Sequence, residues 1–152
     1  MLRTDVRNAL TAAQKAKEDV AVATLRLILA AIKDRDIAAR SQGNLDGIGD
    51  DEILSLLQSM IKQRRESIAA YVKGGRQDLA DQEAAEIGVI ERFLPEQLDE
   101  QETKAAIEAV IKETGASNLK DMGPTMAALR ERYPGRMDFA KASAMVKQRL
   151  AS

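Results

Sequence analysis

Apolar residues recur along this chain at intervals of three and four, the spacing of one face of an α-helix. Leu2, Val6, Ala9, Leu10 and Ala13 set a first helix over residues 2–17, with Arg3, Asp5, Arg7, Lys15 and Lys17 on its polar face. A second helix runs from a cap at Asp19 to about Arg40. Its face of Val22, Leu25, Leu29, Ile32 and Ile37 is widened by Leu27 and Ile28, a breadth that predicts burial on more than one side. The charge run Lys33, Asp34, Arg35, Asp36 reads as the wet end of that helix. A third helix, capped by Asp50 or Asp51, carries Ile53, Leu57, Met60, Ile61, Ile68 and Val72 to about Lys73. Gly74 and Gly75 then free the backbone for a break. The fourth helix starts near Arg76 or Asp78 and sets Leu79, Ala80, Ala84, Ile87, Ile90, Phe93 and Leu94 against a face of Asp78, Asp81, Glu83, Glu86 and Glu91. Pro95 bars Leu94 from the α region and ends the segment.

The pattern restarts at residue 99 with a capping box, Asp99 followed by Glu102. The fifth helix buries Ile107, Val110 and Ile111 and ends at Thr114, with Gly115 as its natural C′ residue. Ser117 or Asn118 caps a sixth helix holding Leu119, Met122, Met126 and Leu129. The two methionines read as core filling. Gly123 and Pro124 fall in its first turns, where backbone N–H groups lack helical partners anyway. Tyr133, Pro134 and Gly135 form a turn, and Asp138 caps a last helix with Phe139, Ala142, Met145, Val146 and Leu150. The predicted fold is all-α and two-lobed: a four-helix lobe over residues 1–97 and a three-helix lobe over residues 98–152.

Composition narrows the chemistry. Hydrophobic residues make up 45% of the 152, enough for a packed core, and with few aromatics that core is aliphatic. Neither Cys nor His is present, which removes disulfides, thiolate sites, the Ser-His-Asp triad and most transition-metal sites. No apolar run approaches the roughly 20 residues of a membrane span. The N-terminus lacks the apolar core of a signal peptide, so a soluble, cytoplasmic protein is expected. The loop from Ser41 to Gly49 is rich in glycine, but it lacks the Gly-Lys-Ser/Thr ending of a phosphate loop and the alternating ligands of a calcium loop. Glu83 and Glu86 share a helix face, yet a di-metal bundle would want histidine partners, so they read as an acidic face matched to the basic third helix. No catalytic residue, metal or cofactor is expected.

Two groups of residues remain as candidates for function. Arg64 falls inside the apolar stripe of the third helix. Its stem can pack while the guanidinium reaches solvent, it can pair with Glu83 or Glu86, or it can hold a ligand. The second group follows from charge distribution. The net charge is −1 overall, but from Ser117 onward seven basic residues stand against three acidic ones, whereas residues 77–102 are strongly acidic. Lys120, Arg130, Arg132, Arg136, Lys141 and Lys147 are therefore candidates for contacts to a phosphate backbone. No aromatic interleaving points to base stacking.

Two phrases carry a resemblance. The first is Thr24 to Lys33, TLRLILAAIK. The second is Lys62 to Ile68, KQRRESI, followed by Tyr71, Gly75, Arg76, Asp78, Leu79, Glu83, Glu86, Ile87, Leu94, Pro95, Gln97 and Leu98. Together they resemble the signatures of the YqeY family, the GatB/YqeY-domain proteins, over essentially the full length. Lys120 to Gly123, Met126, Gly135, Val146, Lys147 and Leu150 are similar to the tail domain of the GatB subunit of the tRNA-dependent amidotransferase, which touches the tRNA being amidated. The kinase-like body of that subunit and the amidase machinery of its partner are missing here. The resemblance implies an association with carbon–nitrogen ligation using glutamine as amide donor. It also implies a non-catalytic accessory protein that binds tRNA, or a tRNA-processing or amidotransferase enzyme, through its C-terminal domain. Alternatives are a component acting in trans beside a catalytic partner, and a helical protein-interaction module using Arg64, Arg65, Tyr71 and Arg76 with Glu83 and Glu86.

Overall fold

A computed structural model describes residues 1–151, as seven α-helices with no strand among the described residues. The fold is all-α. The chain divides into two compact units, the first ending at Leu94 and the second beginning at Pro95.

In the first unit α1 (Leu2–Ala16) and α2 (Asp19–Ser41) form one hairpin, and α3 (Asp50–Lys73) and α4 (Gln77–Glu91) form another. The reversal between α1 and α2 takes two residues, because Lys17 turns left-handed (φ 57°) and closes the helix end on Ala13 and Gln14. The α3–α4 break falls at Gly74 and Gly75, with Gly75 at φ 76°. The hairpins join mainly through α2 and α4 over a core of Val6, Leu25, Ile28, Ile32, Ile53, Leu57, Ile61, Ile87 and Ile90. Phe93 and Leu94 pack half-buried beside it.

Three expectations change. Asp19 and Asp50 do not cap their helices. Each is the first helical residue, after Glu18 and Gly49, and no side chain caps either end. A carboxylate there still sits favourably in the field of the helix N-terminus. Asp50 does more, its Oδ1 accepting from the Leu2 backbone N–H at 3.2 Å. Second, α2 is buried on one side only, with Leu27 and Ile37 about half exposed. Third, Asp36 is not part of a wet end. Its carboxylate accepts two bonds from the Arg3 guanidinium and one from the Ile48 N–H at 2.9 Å, while Arg3 Nη2 also donates to the Ile48 carbonyl at 2.9 Å. This network ties the start of α1, the end of α2 and the following loop, and holds Ile48 in the core. Gly47 beside it has φ 88°, and a Cβ there would come within 2.8 Å of Asp36 Oδ1.

In the second unit α5 (Glu100–Thr114), α6 (Met122–Arg132) and α7 (Phe139–Ala151) pack around Ile107, Val110, Ile111, Met126, Leu129, Met137, Ala142, Val146 and Leu150. The capping box forms as read, the Glu102 N–H donating to Asp99 Oδ1 at 2.7 Å and the Asp99 N–H to Glu102 Oε1 at 3.3 Å. Gly115 closes α5 at φ 71°. Asn118 caps a short 3-10 turn, Leu119–Asp121, and α6 starts only at Met122. Met126 is buried and Met122 packs partly buried against the core. The Asp138 carboxylate accepts from the N–H groups of Ala140 and Lys141 at the start of α7. Residues 96–98 belong with this unit, because the Leu98 N–H donates to the Arg136 carbonyl, Gln97 Nε2 to the Gly135 carbonyl, and Arg136 Nε to the Glu96 carbonyl.

Candidate functional site

In the first unit the antiparallel run of α3 and α4 brings Arg64 onto the acidic face of α4. Arg64 Nε donates to Glu86 Oε2 at 2.9 Å and lies 3.9 Å from Glu83 Oε2, and Nη1 donates to the Met60 carbonyl at 3.2 Å. The Arg64 side chain is 13% exposed, and those of Glu86 and Glu83 are 17% and 23% exposed. A guanidinium shielded to this degree requires partners, and it has them. Of the readings open for Arg64, the geometry matches pairing with α4. Its neighbours behave differently. Arg65 reaches Glu91 at 3.7 Å with both side chains largely exposed, and Tyr71 is half-buried. Arg76 clamps Asp78 through two bonds of 3.1 Å, and that contact holds the Asp78 carboxyl below the usual carboxylate range. Arg64, Glu83 and Glu86 form a partly shielded ionic cluster, whereas Arg65 and Arg76 make separate, exposed pairs with Glu91 and Asp78. Among the described residues no group of three carboxylates is placed to hold a metal ion.

In the second unit the six basic candidates divide by position. Arg130 and Arg132 end α6, Arg136 lies in the connecting turn, and Lys141 is in the first turn of α7. The Arg130 guanidinium stands 5.7 Å from the centre of the Phe139 ring, which bridges the two helices across the turn. Lys120 lies in the 3-10 turn, beyond the other end of α6, about 16 Å away at the helical rise per residue. That turn packs against α7, which carries Lys147. Two basic groups therefore sit at opposite ends of the α6–α7 hairpin.

Partners change the charge they present. Arg132 pairs with Glu113, whose carboxyl the guanidinium holds below its usual range. Arg149 pairs with Glu108 at 2.6 Å. The Asp121 carboxyl beside Lys120 is likewise held low, by the N–H groups of Ser117 and Asn118. From Pro95 onward nine basic residues face nine acidic ones. The unit is neutral, not basic: α5 and the segment before it return the negative charge that a count starting at Ser117 leaves out. What remains is polarity of position. Among the described residues Lys120, Lys141 and Lys147 are exposed and carry no ion pair. Tyr133 and Phe139 lie beside the turn, both half-buried, an aromatic element that residue spacing did not single out.

The fold and these signature positions can be set against known proteins. The family described as Yqey-like protein matches residues 3–150. The chain belongs to the YqeY family. Relatives include the yeast proteins named altered inheritance of mitochondria protein 41, mitochondrial. That of Eremothecium gossypii is 36% identical over 93 residues, covering 61% of this chain and 46% of the relative. That of Lachancea thermotolerans is 32% identical over 126 residues, covering 79% and 63%. That of Meyerozyma guilliermondii is 38% identical over 87 residues, covering 56% and 42%. The chain thus spans less than two thirds of each of these YqeY relatives. Their names place those proteins in mitochondria. In the present chain no described helix is long and apolar enough to cross a membrane.

Proposed function

We propose that this YqeY-family chain is a non-catalytic accessory protein that binds tRNA through the α6–α7 hairpin of its second unit. The observation that carries the reading is the gathering of Arg130, Arg132, Arg136 and Lys141 about one turn, with Arg130 stacked on Phe139. Cations at a helix–turn–helix corner suit phosphate oxygens even though Arg130 and Arg132 leave α6 on different sides, and a guanidinium over a ring suits an unpaired base. Lys120 and Lys147 would add contacts at the far end of the hairpin. The similarity of this unit to an amidotransferase tail domain supports the same ligand. The link to glutamine-dependent carbon–nitrogen ligation would then be inherited with the domain, the chain serving beside a tRNA-processing enzyme. The mitochondrial names of the relatives and the cytoplasmic expectation from composition do not divide this reading, because both compartments hold tRNA.

The test is a filter-binding titration of bulk tRNA with the full chain and with the double variant R130E/K141E. The variant should bind about a hundredfold more weakly at low salt, since two attractive phosphate contacts become repulsive. Unchanged binding would remove the hairpin from the interface. Hydrolysis of glutamine by the purified chain alone would replace the accessory role with an enzymatic one.

A further inference from the structure

The breadth of the apolar face on α2 has no partner inside the fold. Ala21, Leu25, Ile28 and Ile32 point into the core. On the opposite side Val20, Ala23, Leu27, Ala30 and Ile37 follow one another at helical spacing, and Val20, Leu27 and Ile37 are 46%, 49% and 53% exposed. Single exposed apolar residues are ordinary, but five apolar residues at helical spacing from Val20 to Ile37 on one helix mark an interaction face. Arg26, Lys33 and Arg40 run beside it at seven-residue spacing, all exposed, with Asp19 at their head. Among the described residues Arg26 and Lys33 make no ion pair. Asp34 interrupts the stripe between Ala30 and Ile37.

We propose that this face docks a partner's amphipathic helix whose apolar seam is flanked by acidic residues. The apolar stripe supplies the seam, and the cationic row selects the sign of the flank, as charges beside a coiled-coil seam choose their partners. Asp34 sets the register by requiring one polar or basic position opposite it. A second copy of this chain does not meet these terms. Antiparallel self-packing sets Arg26 against Lys33 at the middle of the row, a repulsion that only Asp19 and Arg40 at its ends would offset. Parallel self-packing sets it against Ala31, Arg35 and Ala38, which offer no carboxylate. Phosphate alone would leave the stripe uncovered. The face belongs to the first unit and the α6–α7 hairpin to the second, so the two proposed ligands use different residues.

The test uses the full chain and a labelled synthetic helix of three heptads, with leucine along its seam and glutamate along one flank, compared with the same peptide carrying lysine in place of glutamate. Fluorescence anisotropy should show saturable binding of the glutamate peptide, and binding of the lysine peptide about tenfold weaker as several weak charge pairs change sign. L27E should abolish binding with the helical circular dichroism intact, since Leu27 is exposed, and R26E/K33E should reverse the preference between the peptides. Equal binding of both peptides, binding of neither, or binding untouched by L27E would overturn the proposal. So would a dimer in light scattering that L27E dissolves, which would assign the face to a second copy, or a loss of tRNA affinity in L27E, which would assign it to RNA.

Discussion

Arg3, Asp36 and Arg64 show what single charged residues do when the fold half-shields them. Asp36 accepts from Arg3 and from the Ile48 N–H, and the Arg3 guanidinium holds its carboxyl below the usual carboxylate range. A carboxyl whose folded pKa lies below its unfolded value stabilises the fold above the unfolded pKa, and that stability is lost as pH falls toward the folded one. Thermal melts should therefore lose stability as pH drops below about 4, and D36N should be less stable at neutral pH with a flatter acid limb. The neutral-pH loss should be about 2 kcal/mol, since the charge-assisted bonds from Arg3 disappear. Arg64→Ala strands two carboxylates around a shielded site. It should cost about 2 kcal/mol, below the figure for a fully buried pair because Glu83 and Glu86 keep some solvent. Urea denaturation of R64A against R64A/E86A checks this, because the double variant should recover part of the loss. The role of Asp36 was not evident from residue spacing. Asp36 sits in a charge run that looks solvated, and its partners lie 33 and 12 residues away. The Arg64 contact was legible, because a cation inside an apolar stripe faces an acidic helix that follows after a two-glycine break.

Helix boundaries were legible where a side chain writes them and not where the backbone alone does. The capping box at Asp99 and the left-handed Gly115 formed as read. Asp19 and Asp50 misled because a carboxylate is equally at home one position inside the helix, stabilised by its N-terminal field. Asp99→Ala should lower stability by about 1 kcal/mol and leave the first unit's packing intact. Gly88 gives the opposite prediction. It lies within α4, exposed, with nothing near the position of a Cβ. Gly88→Ala should raise stability by about 0.8 kcal/mol, because it removes backbone entropy from the unfolded chain without a clash. A lower melting temperature for G88A would mean that something approaches α4 closely there. The breadth of α2 was legible as a pattern but misread as burial on two sides. Periodicity reports which faces are apolar and not what covers them.

For the molecule as a whole, the all-α fold follows from periodicity, and the chain divides at Leu94 and Pro95, three residues before the boundary read at residues 97 and 98. The candidate interface was only half legible. The cations near the α6–α7 turn could be named from sequence, but their value depends on what α5 sets against them. Glu113 and Glu108 take up Arg132 and Arg149, and the second unit is neutral in sum. Binding of a polyanion must then come from local placement and not from bulk charge, which makes the number of phosphates contacted small. The most direct measurement is the affinity of the intact chain for tRNA across a series of salt concentrations. The account predicts saturable binding whose logarithm falls linearly with log salt. The slope should correspond to about five phosphates, one for each of the proposed cations other than the Glu113-paired Arg132, lowered by about two in R130E/K141E. Binding that does not respond to salt, or a slope unchanged by the two reversals, would contradict it.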